Sequence, residues 1–374
     1  MNLAWKDIRR QGLRFVFTGL GLGLLFAIVL AMGGIYKGMV ADATVLIDAL
    51  PADLWVVQRE TRGPFAERSV VPRTLEDRLR VLDGVASAET FTYATIQRGD
   101  VAHPVRIGVV GLSWPANRGS AFPLVAGRAL GAPHREMIVD ATLGLALGAR
   151  VPLGDDVYQV VGVTKGFVSS GGDGLAFVTE HDADALLGWM APESSRLAAG
   201  QRSEVLPSAI LVRTLPGVDA REVQARLADW PDVTVWTAGE QRDLLLHGVI
   251  DKARQQIGLF RTLLSIVSGI IVALVLYNMT VAKSYEIALL KLMGARTRVI
   301  VSMILQQSLL LGTIGYVMAI AIGSVAFEHF PRRVLVGPSE LGQLATLVIA
   351  ISVLASAAGI VRALRTPPTL VLAG

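Results

Sequence analysis

The chain has 374 residues, 52% of them hydrophobic, with a mean hydropathy of +0.52 and a formal net charge of +4. It has no cysteine, which excludes disulfides, thiolate zinc sites and cysteine nucleophiles. Four apolar runs, at about 15–36, 258–281, 300–326 and 341–361, each approach the ~20 residues a spanning helix needs. The positive charge is therefore assigned to membrane edges beside anionic lipid, and nucleic acid is not expected as a partner.

The N-terminal "LAWKDIRR" sets Trp5 and Ile8 near one face and Lys6, Arg9 and Arg10 towards the other. It reads equally as a juxtamembrane segment with an interfacial Trp and as an amphipathic helix on the membrane surface, and both readings stay open. The first apolar run follows the basic cluster Lys6, Arg9, Arg10 and Arg14. Its length exceeds the 7–15 residues of a signal-peptide core, so it reads as an uncleaved anchor. Gly19, Gly21 and Gly23 lie inside this run with no preceding strand. A dinucleotide loop fails on that context, and close helix–helix packing is the expectation.

From about 37 to 256 the chain is mixed in polarity and punctuated by Gly and Pro, the pattern of a folded water-exposed domain. "ADLWVVQRE" reads as a strand, "TLEDRLRVLDGV" as a helix, and "SAETFTYATI" and "PVRIGVVGL" as strands. A similar order returns in "SAILVRT", "AREVQARLADW" and "DVTVWTA". The expectation is an α+β domain of two strand–helix–strand halves, with a β-rich insertion near 123–180. Catalytic constellations are missing. His103, His134, His181 and His247 read as isolated, and Ser169–Gly174 is a flexible loop without the strand–turn–helix context of a hydrolase elbow. No segment matches a phosphate-binding P-loop.

Thr237 and Glu240 have the spacing of a capping box. No proline interrupts the residues that follow, so 238–282 is expected to be one helix, a stalk continuing into the second span. It would measure roughly 68 Å, against a hydrocarbon core of ~30 Å. Arg261 is expected to snorkel at the membrane edge.

"KSYEIALLKLMGARTR", residues 283–298, connects the second and third spans. At 100° per residue, Tyr285, Leu289, Leu290, Leu292 and Met293 share a broad apolar face, with Ser284, Ala288 and Lys291 opposite. Glu286 suits the first turn of a helix and Gly294 its C-terminal cap, with Arg296 and Arg298 beyond. From the residues alone, two readings stay open: a basic loop that sets topology, or a short helix that offers one face to a partner. Lys6, Arg9, Arg10, Arg14, Lys283, Lys291, Arg296, Arg298, Arg362 and Arg365 all fall on one side of the four spans, so that side is expected to be cytoplasmic, with both termini inside. The spans contain almost no ionisable residue at depth, which disfavours an ion-coupled transporter or channel. Gln306 and Gln307 are expected to bond between helices.

The stretch "EIALLKLMGARTRVIVSMILQQSLLLGTIG" resembles the FtsX-like permease domain of MacB-type ABC transporters, and "YNMTVAKSYEIALLKLMGA" is most similar to the DevC branch. "AGRAL", "MIVDATLGLALG" and "VVGV" also resemble that family's periplasmic domain. The resemblance implies a membrane α-helical fold with four transmembrane helices and a large α+β periplasmic domain between the first and second. The parts would be 1–36 (N-terminal segment and first helix), 37–237 (periplasmic domain), 238–282 (stalk and second helix), 283–298 (cytoplasmic coupling helix) and 299–374 (third and fourth helices with a cytoplasmic C-terminus). It implies a non-catalytic permease subunit of the bacterial inner membrane that forms a homodimer. No cofactor is expected on this chain, with ATP and Mg on a separate ABC ATPase. Ser284, Glu286, Leu290, Lys291, Gly294 and Arg296 would couple to that ATPase. Motion of the periplasmic domain would drive export through a membrane-fusion adaptor and an outer-membrane duct. The alternatives are an FtsX-like regulator that activates a periplasmic partner, and a lipoprotein-releasing permease.

Overall fold

The computed structural model describes residues 12–98, 105–190, 206–330 and 332–367. The N-terminal motif around Trp5 and Ile8, and His103, lie outside them. The chain divides into a helical unit, formed by the residues up to Gly38 and from Ala253 onwards, and a sheet unit, Met39–Lys252.

Alternation along the strands builds the sheet unit. Helix α1 (Gly12–Ala49) leads into β1 (Leu54–Gln58), α2 (Thr74–Arg80) and β2 (Val85–Arg98). After a long insertion come β9 (Ala209–Thr214), α4 (Ala220–Leu227) and β10 (Val233–Thr237). These strands lie in the order β10-β1-β9-β2, every pair antiparallel. The two strand–helix–strand pieces therefore interleave in one sheet, a split β-α-β arrangement. The insertion carries β3 (Val105–Leu112), β4 (Leu124–Gly127), β5 (Glu136–Asp140), β6 (Arg150–Leu153), β7 (Asp156–Thr164), β8 (Leu175–Thr179) and α3 (Glu180–Met190).

Strand β2 belongs to both parts. Its first half pairs with β9 and its second half with β3, so one sheet runs on through β8, β5, β7 and β4. Val105–Leu112, whose pattern groups it with the first strand–helix–strand half, thus opens the insertion's sheet. There it pairs in parallel with β8. A parallel partner arrives through a long crossover and leaves no local signal.

One face of this sheet has a single core. Trp55, Phe91 and Leu211 from one part and Val110, Phe122, Phe167 and Phe177 from the other are buried in it. Trp55 and Phe91 meet edge to face at 5.3 Å, as do Trp55 and Phe65 at 5.4 Å. The opposite face has two cores. Leu54, Val56 and Ile210 pack under α2 and α4 with Leu75, Leu79, Val223 and Leu227, while Val109, Val139 and Val178 pack under α3 with Ala183 and Leu186. Helix α1 continues to Ala49 and does not stop near 36. Asp42 and Asp48 end the apolar run, yet Leu46, Ile47 and Leu50 still find a core beside Trp55 and Leu245.

From Ala238 the chain stays helical to Ala282: α5 (Ala238–Leu245), a π turn over Leu246–Ile250, then α6 (Asp251–Ala282). Gly248 lies in the π turn. The helical unit adds α7 (Ser284–Leu292), α8 (Thr297–Ala326) and α9 (Pro338–Arg365). Helices α1, α6, α8 and α9 are each long and apolar enough to cross a membrane. Their shared core holds Leu22, Phe26, Val272, Leu276, Leu311, Ala319 and Val348.

Small residues set the close approaches. A Cβ on Gly19 would overlap Ile314, and one on Gly23 would lie 2.5 Å from Met318 Cβ. Gly21 faces open space, so only two of the three glycines serve packing. Gln306 bonds along its own helix, Nε2 to Ser302 Oγ at 3.3 Å, and Gln307 is buried. Ser308 Oγ of α8 donates to Ser352 O of α9 at 2.5 Å. Arg261 donates to Gln343 Oε1 at 3.2 Å. In the first turn of α9, Lys37 Nζ meets Glu340 Oε2 at 3.0 Å.

Candidate functional site

Among the described residues, no cluster of three His, Asp or Glu side chains could hold an ion. The histidines are not all isolated, however. The fold brings His134 and His181 together, ring centroids 4.6 Å apart, with Asp182 Oδ1 3.6 Å from His134 Nδ1. Their separation in sequence hid this pair.

The predicted cap of α5 is a capping box. Thr237 Oγ1 accepts from Glu240 N–H, and Glu240 Oε2 accepts from Thr237 N–H at 2.9 Å. Gln224 Nε2 donates to the same carboxylate at 2.7 Å. Burial alone would raise the Glu240 carboxyl, but these bonds hold it below the usual carboxylate range. The two parts of the sheet unit are tied by Arg73 to Asp184 and by Thr90 to Glu180.

The most distinctive surface is α7, nine residues between two spanning-length helices. Its start is set by Ile287 N–H donating to Lys283 O at 3.0 Å. Its end is a Schellman motif: Ala295 N–H reaches Leu290 O at 2.9 Å and Gly294 N–H reaches Lys291 O at 3.1 Å. Gly294 has φ +82°, a conformation that strains any L side chain. Glu286 lies in the first turn, towards the positive end of the helix dipole. Burial pushes the Lys283 amine below its usual range, with Glu286 acting in the opposite direction.

Tyr285, Leu289, Leu292 and Met293 of the apolar face are exposed, Met293 most of all at 67%. The opposite side is packed. Ile287 and Ala288 are buried in a small core with Ile300, Ile304 and Ala363. Ala288 is small enough to allow that approach, and Lys291 turns its ammonium to the end of α9. Of the remaining candidates, Ser284 and Leu290 are half-buried, and Gly294 and Arg296 are exposed. Arg296 is the extended residue that precedes α8.

Four spanning-length helices, a sheet-rich domain between the first two, and a short connecting helix with an uncovered apolar face define a polytopic membrane protein with a large domain outside the bilayer. The profile of the MacB-like periplasmic core domain matches residues 15–230, and that of the FtsX-like permease C-terminal region matches residues 253–368. An uncharacterised ABC transporter permease of Mycobacterium tuberculosis is 25% identical over 374 residues, with 99% of each chain covered. A putative hemin transport system permease protein, HrtB, of Staphylococcus epidermidis is 22% identical over 321 residues, covering 83% of this chain and 81% of that one. The crystal structure of the periplasmic region of MacB from Actinobacillus actinomycetemcomitans aligns with 57% of this chain and 95% of its own, at 11% identity and a TM-score of 0.36. The chain belongs to the family of MacB- and FtsX-like permeases, subunits of ABC transporters.

Proposed function

We propose that this chain is the permease of an export system in which α7 docks on a separate ABC ATPase and the sheet unit moves in response. The observation that carries this reading is the exposed row Tyr285, Leu289, Leu292 and Met293 on a helix held from behind by Ile287 and Ala288. A connection between two spanning helices needs no such row. An apolar face rimmed by Glu286, Arg296 and Arg298 suits a protein partner with an apolar centre and a polar edge.

In this reading the α7 side is cytoplasmic and the sheet unit is periplasmic, in keeping with the basic residues around α7 and at the end of α9. ATP and Mg are held by the partner. The chain works as a homodimer in the inner membrane, in the manner of the DevC branch. A periplasmic adaptor of the membrane-fusion class receives the movement and passes cargo to an outer-membrane duct. The run of helix from Ala238 to Ala282 is the element that would carry load between domain and membrane.

The test is a mild-detergent pull-down of the tagged chain from its native membrane, with mass spectrometry of what co-purifies. A P-loop ATPase together with a membrane-fusion adaptor is expected, and Glu286→Lys with Arg296→Glu should lose the ATPase. Recovery of an ATPase with a periplasmic hydrolase and no adaptor would replace export with regulation. Absence of any ATPase from an intact dimer would overturn the docking role of α7.

A further inference from the structure

The resemblance places Lys291 among the residues that meet the ATPase, but its side chain is engaged within its own chain. Its Nζ lies 2.8 Å from Ala363 O, 2.9 Å from Leu364 O and 2.9 Å from Thr366 O. An ammonium has three hydrogens and no acceptor. Here each hydrogen has one carbonyl, and all three carbonyls come from the last turn of α9 and the residue after it. Those are the groups a helix leaves without an intrahelical partner. They also form the negative end of its dipole, where a cation is favoured.

Two neighbouring features reinforce the contact. Ala363 is fully buried in the same small core as Ile287, Ile300 and Ile304, a core separate from that of the four long helices. Thr366 is buried as well. Its N–H donates to Ala363 O at 3.3 Å and its Oγ1 to Arg362 O at 3.1 Å, closing the end of α9. The carbonyls are thereby fixed at the point where the ammonium meets them.

We propose that Lys291 is a positioning residue that clamps α7 to the C-terminal end of α9. By chain connection alone, a load on α7 reaches only α6 and α8. With the clamp, α7 and the end of α9 move as one block, and the load enters the fourth spanning helix directly. This rests on α7 as the docking helix and deepens that reading, since Lys291 then serves coupling without touching the ATPase. The group must be lysine. Three acceptors converge on a single atom, which suits a compact ammonium and not the planar fork of a guanidinium.

The experiment uses the full chain purified in detergent, without an ATPase, and follows hydrogen exchange by mass spectrometry. Lys291→Met keeps the apolar stem and removes the charge. Its amides in 284–295 and 360–366 should exchange at least tenfold faster than in the parent, with the sheet unit unchanged, and Lys291→Arg should recover only part of the protection. A second measurement needs no variant. In the parent chain a water-soluble amine reagent should modify Lys291 at least tenfold more slowly than the exposed Lys165 and Lys252. Unchanged exchange in Lys291→Met, or equal reactivity of the three lysines, overturns the clamp. Capture of the ATPase is then compared between the parent and Lys291→Met. Retained capture with loosened segments is the expected result. Lost capture with unchanged exchange would make Lys291 a docking contact. Failure of the parent chain to capture any ATPase would refute the docking reading and leave the exchange and reactivity results to decide the clamp.

Discussion

Replacing Gly21 and Gly23 separately by alanine should separate the two variants in stability, Gly21→Ala being the more stable, although the two lie less than one turn apart on α1. Both are interior helix positions, where Gly→Ala gains ~1 kcal/mol from backbone entropy. At Gly21 a new Cβ meets nothing within 4 Å, so that gain stands alone. At Gly23 it would lie 2.5 Å from Met318 Cβ and 3.3 Å from both Gly315 O and Met318 C. The last two atoms are backbone, and no rotamer change relieves them, so α1 and α8 must separate. Overpacking of this kind costs about 1–3 kcal/mol. Because the propensity gain is common to both, the difference between the variants isolates the clash at about 1–3 kcal/mol. Tryptophan emission is the wrong assay, since five of the six tryptophans, Trp55, Trp114, Trp189, Trp230 and Trp236, belong to the sheet unit and would dominate the signal. The cysteine-free chain allows a better one. Ser268→Cys places a single thiol at a fully buried site on α6, and a thiol-reactive dye then reports melting of the helical unit. Gly21→Ala should melt several degrees above Gly23→Ala. Equal upward shifts would mean that α1 and α8 do not meet along the Gly19–Gly23 seam, and would refute the reasoning.

Three further outcomes are expected in the sheet unit. Thr237→Ala removes the acceptor for Glu240 N–H and should cost about 1 kcal/mol, read from urea unfolding followed by the tryptophan emission of the sheet unit. Phe91→Ala empties the centre of an aromatic cluster with Trp55 and Phe65 and should cost about 3–5 kcal/mol, or prevent folding of the unit, as followed by near-ultraviolet circular dichroism. Burial pushes the Asp184 carboxyl up to about 6, with Arg73 opposing and Glu180 adding to the rise. The folded pKa is raised, so the stability this group contributes is full below pH ~4, its ordinary range, and is lost as pH rises through about 6. The melting temperature of the parent should therefore fall between pH 4 and 6 relative to Asp184→Asn. Parallel pH profiles for the two would show that Asp184 titrates as a solvated carboxylate.

Much of the candidate site was legible as local structure. Glu286 in a first turn, Gly294 as a left-handed cap and the Thr237–Glu240 box each depend on residues within one or two turns, and such spacing is visible along the chain. The direction in which α7 faces was not legible. An apolar stripe does not say whether it packs on its own fold or is left exposed. Here the choice fell to Ala288, whose size lets α8 and α9 approach, and to Lys291, whose charge finds carbonyls far along the chain.

The same division holds for the whole molecule. Hydropathy and length over a continuous run identify the four spanning helices, because the bilayer forces a segment to satisfy its own backbone bonds. Strand and helix alternation likewise identifies β1, α2, β9, α4 and β10 before any contact is known. Tertiary structure alone decided that β2 would serve two parts of one sheet, that Val105–Leu112 would lie parallel to β8, and that Gly23 but not Gly21 would face another helix. It also paired His134 with His181 and turned Lys291 towards α9. Each of these depends on which surfaces meet across long separations, and the free energy of meeting belongs to pairs of segments, so neither segment reveals it alone.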